Sequence, residues 1–252
     1  MKRGFLICAL IVLLAAGAYC GWRYYQAEVL PEQQLTEANE QQEQLLDAIR
    51  PPEESSQQAS DGEPAAPENP LADAEAVNSD TVGWLTVPGT HIDYPVCQAA
   101  DNDFYLHNGF DRKPNYGLGC PFLDYRCEGD FSGFNSIIYG HHITKQRMFA
   151  DIAKYKDKAF FRAHPTGSLV LRDGTHEIRF FAYLTVPSTA PAYHAVFLTD
   201  GERQDYLDYL FAEAVWSTVD PAEIHTDMHL ILLSTCTYEF NEARGVLVGI
   251  LQ

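Results

Sequence analysis

Cys236 closes an apolar run, Leu230-Ile231-Leu232-Leu233-Ser234-Thr235, and is followed by the polar Thr237-Tyr238-Glu239. A thiol at a strand end is placed to face a groove, and as thiolate it is a nucleophile for acyl transfer. From composition alone the plainer reading is a buried core thiol or half of a disulfide. His141 follows Tyr139-Gly140 at the end of a second apolar run, Ser136-Ile137-Ile138. A histidine there can reach a groove and move a proton near neutral pH, or it is half of a surface pair with His142. Arg244 lies eight residues beyond Cys236 and opens the last apolar run. If the intervening segment is a hairpin loop, its fixed charge lies beside the thiol; alone it reads as a solvated charge.

These residues need a scaffold. Short β-type runs at 82–87, 92–96, 117–123, 136–139, 168–171, 177–186, 230–234 and 246–251 alternate with turn signals such as Pro88-Gly89. Helical spacing is confined to 101–106, 148–154 and 200–215, the last through Tyr206, Leu207, Leu210, Phe211 and Ala214. About eight strands with few helices predict a mainly β fold, a closed or nearly closed barrel with helices outside.

The chain has 252 residues and a net charge of −18. That balance excludes a nucleic-acid binder, which needs a basic face. Charge divides it into three zones: 1–26 carries +3, 27–80 carries 14 acids against Arg50 alone, and the remainder is mildly acidic. Residues 4–22 hold no charge, follow Lys2 and Arg3, and lead into Trp22, Tyr24 and Tyr25. The expected element is an uncleaved transmembrane anchor with a cytoplasmic N-terminus; a signal peptide cut near Ala16-Gly17-Ala18 is the rival. Residues 28–49 permit a polar helix ended by Pro51-Pro52, and 51–70 read as a flexible spacer. The expected organisation is anchor 1–26, acidic stalk 27–74 and catalytic domain 75–252.

From about residue 81 to the end the chain resembles the class B sortases, membrane-anchored cysteine transpeptidases of Gram-positive bacteria. The resemblance rests on Val82-Gly83-Trp84-Leu85, Ile92-Asp93-Tyr94-Pro95-Val96, Asp101-Asn102-Asp103-Phe104-Tyr105-Leu106 and Phe122-Leu123-Asp124-Tyr125-Arg126. It continues through Asn135-Ser136-Ile137-Ile138-Tyr139-Gly140-His141, Leu233-Ser234-Thr235-Cys236 and Glu239-Phe240-Asn241-Glu242-Ala243-Arg244. The helix at 200–215 before the Cys strand also fits.

The resemblance implies an eight-stranded sortase barrel with Cys236 as nucleophile, His141 as acid/base and Arg244 as oxyanion or substrate-binding group. His142 is a bystander, no acidic residue completes a triad, and Tyr139, Ser234 and Thr235 line the groove. It implies, as partners, exported proteins with a C-terminal sorting signal cut after Thr. The acceptor amine belongs to the peptidoglycan precursor lipid II or, in a pilus version, to a pilin Lys. The catalytic domain is then extracellular.

No cofactor is expected, since His107, His164, His176, His194, His225 and His229 lack metal-ligand spacing. Cys8 and Cys20 lie in the apolar segment and read as structural or inert; Cys120 and Cys127 are close enough in sequence to pair, leaving Cys97 over. Two other readings stay open: a cysteine hydrolase or L,D-transpeptidase-like enzyme, which would place Cys and His in one compact motif, and a non-catalytic barrel module.

Overall fold

A computed structural model describes residues 2–52, 69–143 and 147–252; within its first helix, side chains are described at residue 10 and from residue 13 on. Helix α1 (Lys2–Tyr24) contains the apolar segment and runs through a π-helical turn, Tyr25–Val29, into α2 (Leu30–Ile49). Among the described residues no helix is long and apolar enough to cross a membrane. The anchor expectation rests on residues 4–22, and the side chains of 4–9, 11 and 12 lie outside the described residues. Helix α2 stops at Ile49, two residues before Pro51, with Arg50 already extended at φ −61°, ψ 131°, because a following proline disfavours the helical region. The spacer expected over 51–70 lies mostly outside the described residues.

The acidic helix α2 is not a free stalk. Its stripe Ala38, Leu46 and Ile49 is buried and joins the core. Arg50 Nε meets Asp93 Oδ2 at 2.8 Å, and Gln42 accepts from Asn115 Nδ2 at 3.0 Å. Leu71, just before the short helix α3 (Ala72–Val77), and Ala74 within it are buried, so the packed unit begins ahead of residue 75.

The barrel is built from β1 (Thr81–Thr86), β2 (Asp93–Cys97), β3 (Phe122–Leu123), β4 (Asn135–Tyr139), β7 (Thr166–Leu171), β8 (Gly174–Pro187), β10 (His229–Cys236) and β11 (Ala243–Leu251). Two-residue strands β5 (His142–Ile143) and β6 (Arg147–Met148) pair apart, and β9 (Ala214–Ser217) extends the sheet beyond β8. The main sheet runs β11-β10-β4-β3-β2-β1-β7-β8 and is closed by β8 pairing with β11. This is the closed eight-stranded barrel expected from the sequence. Closure leaves no free edge among those eight strands. Both faces of these strands are covered: Leu85, Val96, Leu123 and Leu169 on one face and Ile137, Leu232 and Val248 on the other have no exposed surface.

The helical expectations hold with shifted bounds. The 101–106 signal becomes α4 (Phe104–His107) and the 200–215 signal α6 (Asp200–Glu213), started by a Thr199/Glu202 capping box. The 148–154 signal is a 3-10 helix, Ala150–Lys156, followed by α5 (Lys158–Ala163). The strand expected over 117–123 shrinks to β3, because Tyr116, Gly117 and Gly119 take φ of 57°, 82° and 67° and a run of positive φ cannot be extended strand.

Candidate active site

Three strands bring the chemistry to one end of the barrel. β10 pairs antiparallel with β11 in a register that sets Cys236 opposite Arg244. On its other side β10 runs parallel to β4, with Ser234 opposite Tyr139. Gly140 N then donates to Ser234 O at 3.1 Å, which carries the chain past the sheet edge and puts His141 next to the end of β10. A side chain on Gly140 would overlap the Phe149 ring, at 2.5 Å from Cγ. The glycine lets this aromatic ring close behind the histidine.

Cys236, His141 and Arg244 all line one cavity of about 690 Å³. Cys236 is a free, partly exposed thiol. His141 Nε2 lies 2.8 Å from Leu106 O at the end of α4. A carbonyl only accepts, so Nε2 carries a hydrogen and Nδ1 is left to exchange a proton. The orienting partner of His141 is thus a main-chain carbonyl, in keeping with the absence of an acid in the motif. Arg244 donates from Nη1 to Ala243 O at 3.1 Å and from Nη2 to Glu242 at 3.2 Å, which holds its head at the cavity wall. A thiol, an imidazole and a guanidinium around one open space are the groups that acyl transfer through a thioester requires.

The expected groove residues are there too. Ser234 is buried, its Oγ 2.9 Å from the Tyr193 hydroxyl. Tyr139 stacks on Tyr193 with centroids 5.9 Å apart and donates to Asp124 Oδ2 at 3.0 Å; burial, then the Asp124 charge, pushes its phenol up. Thr235 also lines the cavity, but strand alternation turns it from the side shared by Ser234 and Cys236, and its hydroxyl is buried without a hydrogen-bond partner. His142 lies outside the cavity lining and meets Tyr238 edge-on at 5.3 Å.

Beneath the groove lies a polar group that motif reading did not single out. Asp124, with no exposed side chain, accepts from Arg126 Nε at 2.8 Å and Nη2 at 2.7 Å, and from Asn102 at 2.9 Å. Burial alone would raise its carboxyl, but the Arg126 bonds outweigh that and hold it below the usual aspartate range. Arg126 Nη2 also donates to Tyr193 O at 3.1 Å, tying this floor to the cavity wall at 188–194. Asn102, Asp124 and Arg126 sit within the stretches that carry the resemblance; the spacing of an acid two residues before an arginine was the available signal. The wall at 188–194 had none beyond Pro191.

The pairing of Cys120 with Cys127, left open by the sequence, is not made. Cys120 and Cys127 are both free. Cys127 Sγ donates to Asn135 O at 3.3 Å, whereas Cys120 faces Cys97, with sulfurs 3.9 Å apart. The chain turns through positive φ at Gly119 and enters β3, which sends Cys120 toward β2 instead of along the loop to Cys127. Among the described residues no group of three or more His, Cys, Asp or Glu gathers as a metal site would.

No family model matches the chain. Sortase B of Listeria monocytogenes serovar 1/2a (strain ATCC BAA-679 / EGD-e) is 35% identical over 178 residues, 71% of this chain and 71% of its own length. Sortase B of Staphylococcus aureus (strain NCTC 8325 / PS 47) is 27% identical over 168 residues, 67% of this chain and 68% of its own. Among solved structures, sortase B from Listeria monocytogenes superposes with a TM-score of 0.63 at 36% identity, covering 71% of this chain and 99% of that one. The Clostridium perfringens sortase B structure gives 0.67 at 27% identity, covering 72% and 98%. A Staphylococcus aureus sortase B–substrate complex gives 0.66 at 27%, covering 73% and 84%.

Proposed function

Because the chain belongs to the class B sortases, which are cysteine transpeptidases, we propose that Cys236 is its nucleophile, His141 its acid/base and Arg244 its oxyanion or substrate-binding group. The observation that carries this reading is the convergence of all three on one cavity from sites 95 and eight residues away from the thiol along the chain.

The thiolate attacks the carbonyl of a Thr in the sorting signal of another exported protein. Arg244 donates to the oxygen as it gains charge. His141, protonated, gives its proton to the leaving amine, and the C–N bond breaks. A thioester to Cys236 remains. An incoming amine attacks it, loses a proton to the imidazole, and leaves as a new amide while the thiol is restored. Tyr139 and Ser234 hold the peptide along the groove.

The acceptor is an amine of a peptidoglycan precursor. The uncharged segment 4–22 with Lys2 and Arg3 before it supports a single-pass anchor with the catalytic unit outside the cell. The test is to incubate the full-length chain, kept in a mild detergent, with a panel of quenched sorting peptides, with and without an amine acceptor. Amide formation that is lost in Cys236→Ala is expected. Turnover that survives this substitution contradicts the assignment.

A further inference from the structure

His141 depends on a turn far from it in sequence. Gly119, at φ +67°, lies so close to the imidazole that a Cβ there would stand 2.9 Å from His141 Cδ2. The same Cβ would stand 2.6 Å from Tyr105 O and 3.3 Å from Leu106 O, the carbonyl that takes the His141 Nε2 hydrogen. Cδ2 is bonded to Nε2, so the missing side chain is what lets this ring edge and this carbonyl meet.

The turn is itself held at both ends. Asn115 grips Gly119 twice, accepting from Gly119 N at 2.9 Å and donating to Gly119 O at 2.9 Å. Cys120 N donates to Tyr105 O at 3.0 Å, which fastens the turn to α4. Asn115 is fixed in turn by Gln42 of α2.

From this geometry we infer that Asn115 and Gly119 are positioning residues for the reaction: they press α4 against His141 so that Nε2 carries the hydrogen and Nδ1 is the nitrogen that exchanges a proton with Cys236. The inference rests on the reading of His141 as the acid/base. Neither residue touches the reacting atoms; both act through the imidazole.

The experiment uses the full-length chain in mild detergent with ¹⁵N-labelled histidine, His141 being identified by its loss in His141→Gln. At a pH where the ring is neutral, the His141 signals should be those of the Nε2–H tautomer. In Gly119→Ala this pattern should be lost, and kcat on a cleaved sorting peptide should fall by about 10- to 100-fold, the size of effect that loss of an orienting partner has at metal-bound histidines, with KM little changed. Asn115→Ala, which needs no side chain at the crowded position, should shift both in the same direction, and it decides the matter if Gly119→Ala does not fold. An Nδ1–H tautomer in the unsubstituted chain overturns the inference, as does a folded Gly119→Ala of unchanged kcat. If the unsubstituted chain turns over no peptide, the proposed function fails, and the tautomer alone then decides this inference.

Discussion

Cys236 and Arg244 are register partners on adjacent antiparallel strands, so the thiol and the guanidinium leave the sheet on the same side. Directly opposed residues have Cβ atoms about 5 Å apart, and the connecting loop has to keep that register. Glu242 and the Ala243 carbonyl then hold the guanidinium at the wall of the cavity. The role of Arg244 depends on its forked donors and not on charge alone. Arg244→Lys is therefore expected to lower kcat/KM on a sorting peptide by about 100-fold or more, in the range seen when one oxyanion donor is removed, with an unchanged unfolding temperature. A lysine variant of full activity contradicts this.

Thiol reactivity separates Cys236 from the other thiols of the barrel domain, Cys97, Cys120 and Cys127. It is partly exposed at the cavity, whereas Cys97, Cys120 and Cys127 are buried. Burial pushes the Cys127 thiol up to about 11 and raises Cys120 as well, and a thiol that stays protonated is a poor nucleophile. A thiol-reactive reagent under native conditions should label Cys236 before Cys97, Cys120 and Cys127, read by peptide mass mapping. Equal slow labelling of all four would favour an inert barrel module.

Asp124 sets a pH dependence of stability. Its folded carboxyl lies below the ordinary aspartate value of about 3.9. A carboxylate of lowered pKa contributes stability that is present above its unfolded value and is lost as pH falls through the folded one. Asp124→Asn should thus cost about 2 kcal/mol at pH 7, the order of a charge-assisted hydrogen bond, and progressively less as the pH drops below about 4. Denaturant unfolding at pH 7 and at about pH 3, below the ordinary aspartate value, measures it. A cost that is the same at both shows that the charge does not hold the floor of the groove.

The docking of α2 has a direct consequence. Leu46 is 2% exposed, and removing a buried leucine side chain costs about 2–5 kcal/mol. Leu46→Ala should destabilise the barrel by an amount in that range, read as a lowered unfolding midpoint. A stalk swinging free of the barrel would give no change.

How much of this was legible beforehand follows from the physics of each part. The strands were readable because their apolar runs are bounded by turn residues, and the Cys236/Arg244 pairing because a hairpin loop of that length admits it. The resemblance carried His141 to the same site, which no local pattern could, since the parallel pairing of β4 with β10 joins residues far apart in the chain. Helix α2 read as a stalk because its surface is acidic, yet Ala38, Leu46 and Ile49 form a stripe that only a partner surface reveals as buried. The Leu106 carbonyl was invisible because a main-chain oxygen carries no sequence signal. Gly119 was read as part of a strand, and only its positive φ and the ring beside it show otherwise.

The central claim is that Cys236 carries the acyl group between donor peptide and acceptor amine. Intact-protein mass spectrometry of the full-length chain, quenched in acid soon after mixing with a cleavable sorting peptide, tests it. A mass increase equal to the peptide acyl fragment, located on Cys236, absent from Cys236→Ala and discharged by an added amine, is the expected result. An adduct on another residue, or peptide cleavage that proceeds unchanged in Cys236→Ala, would contradict the account.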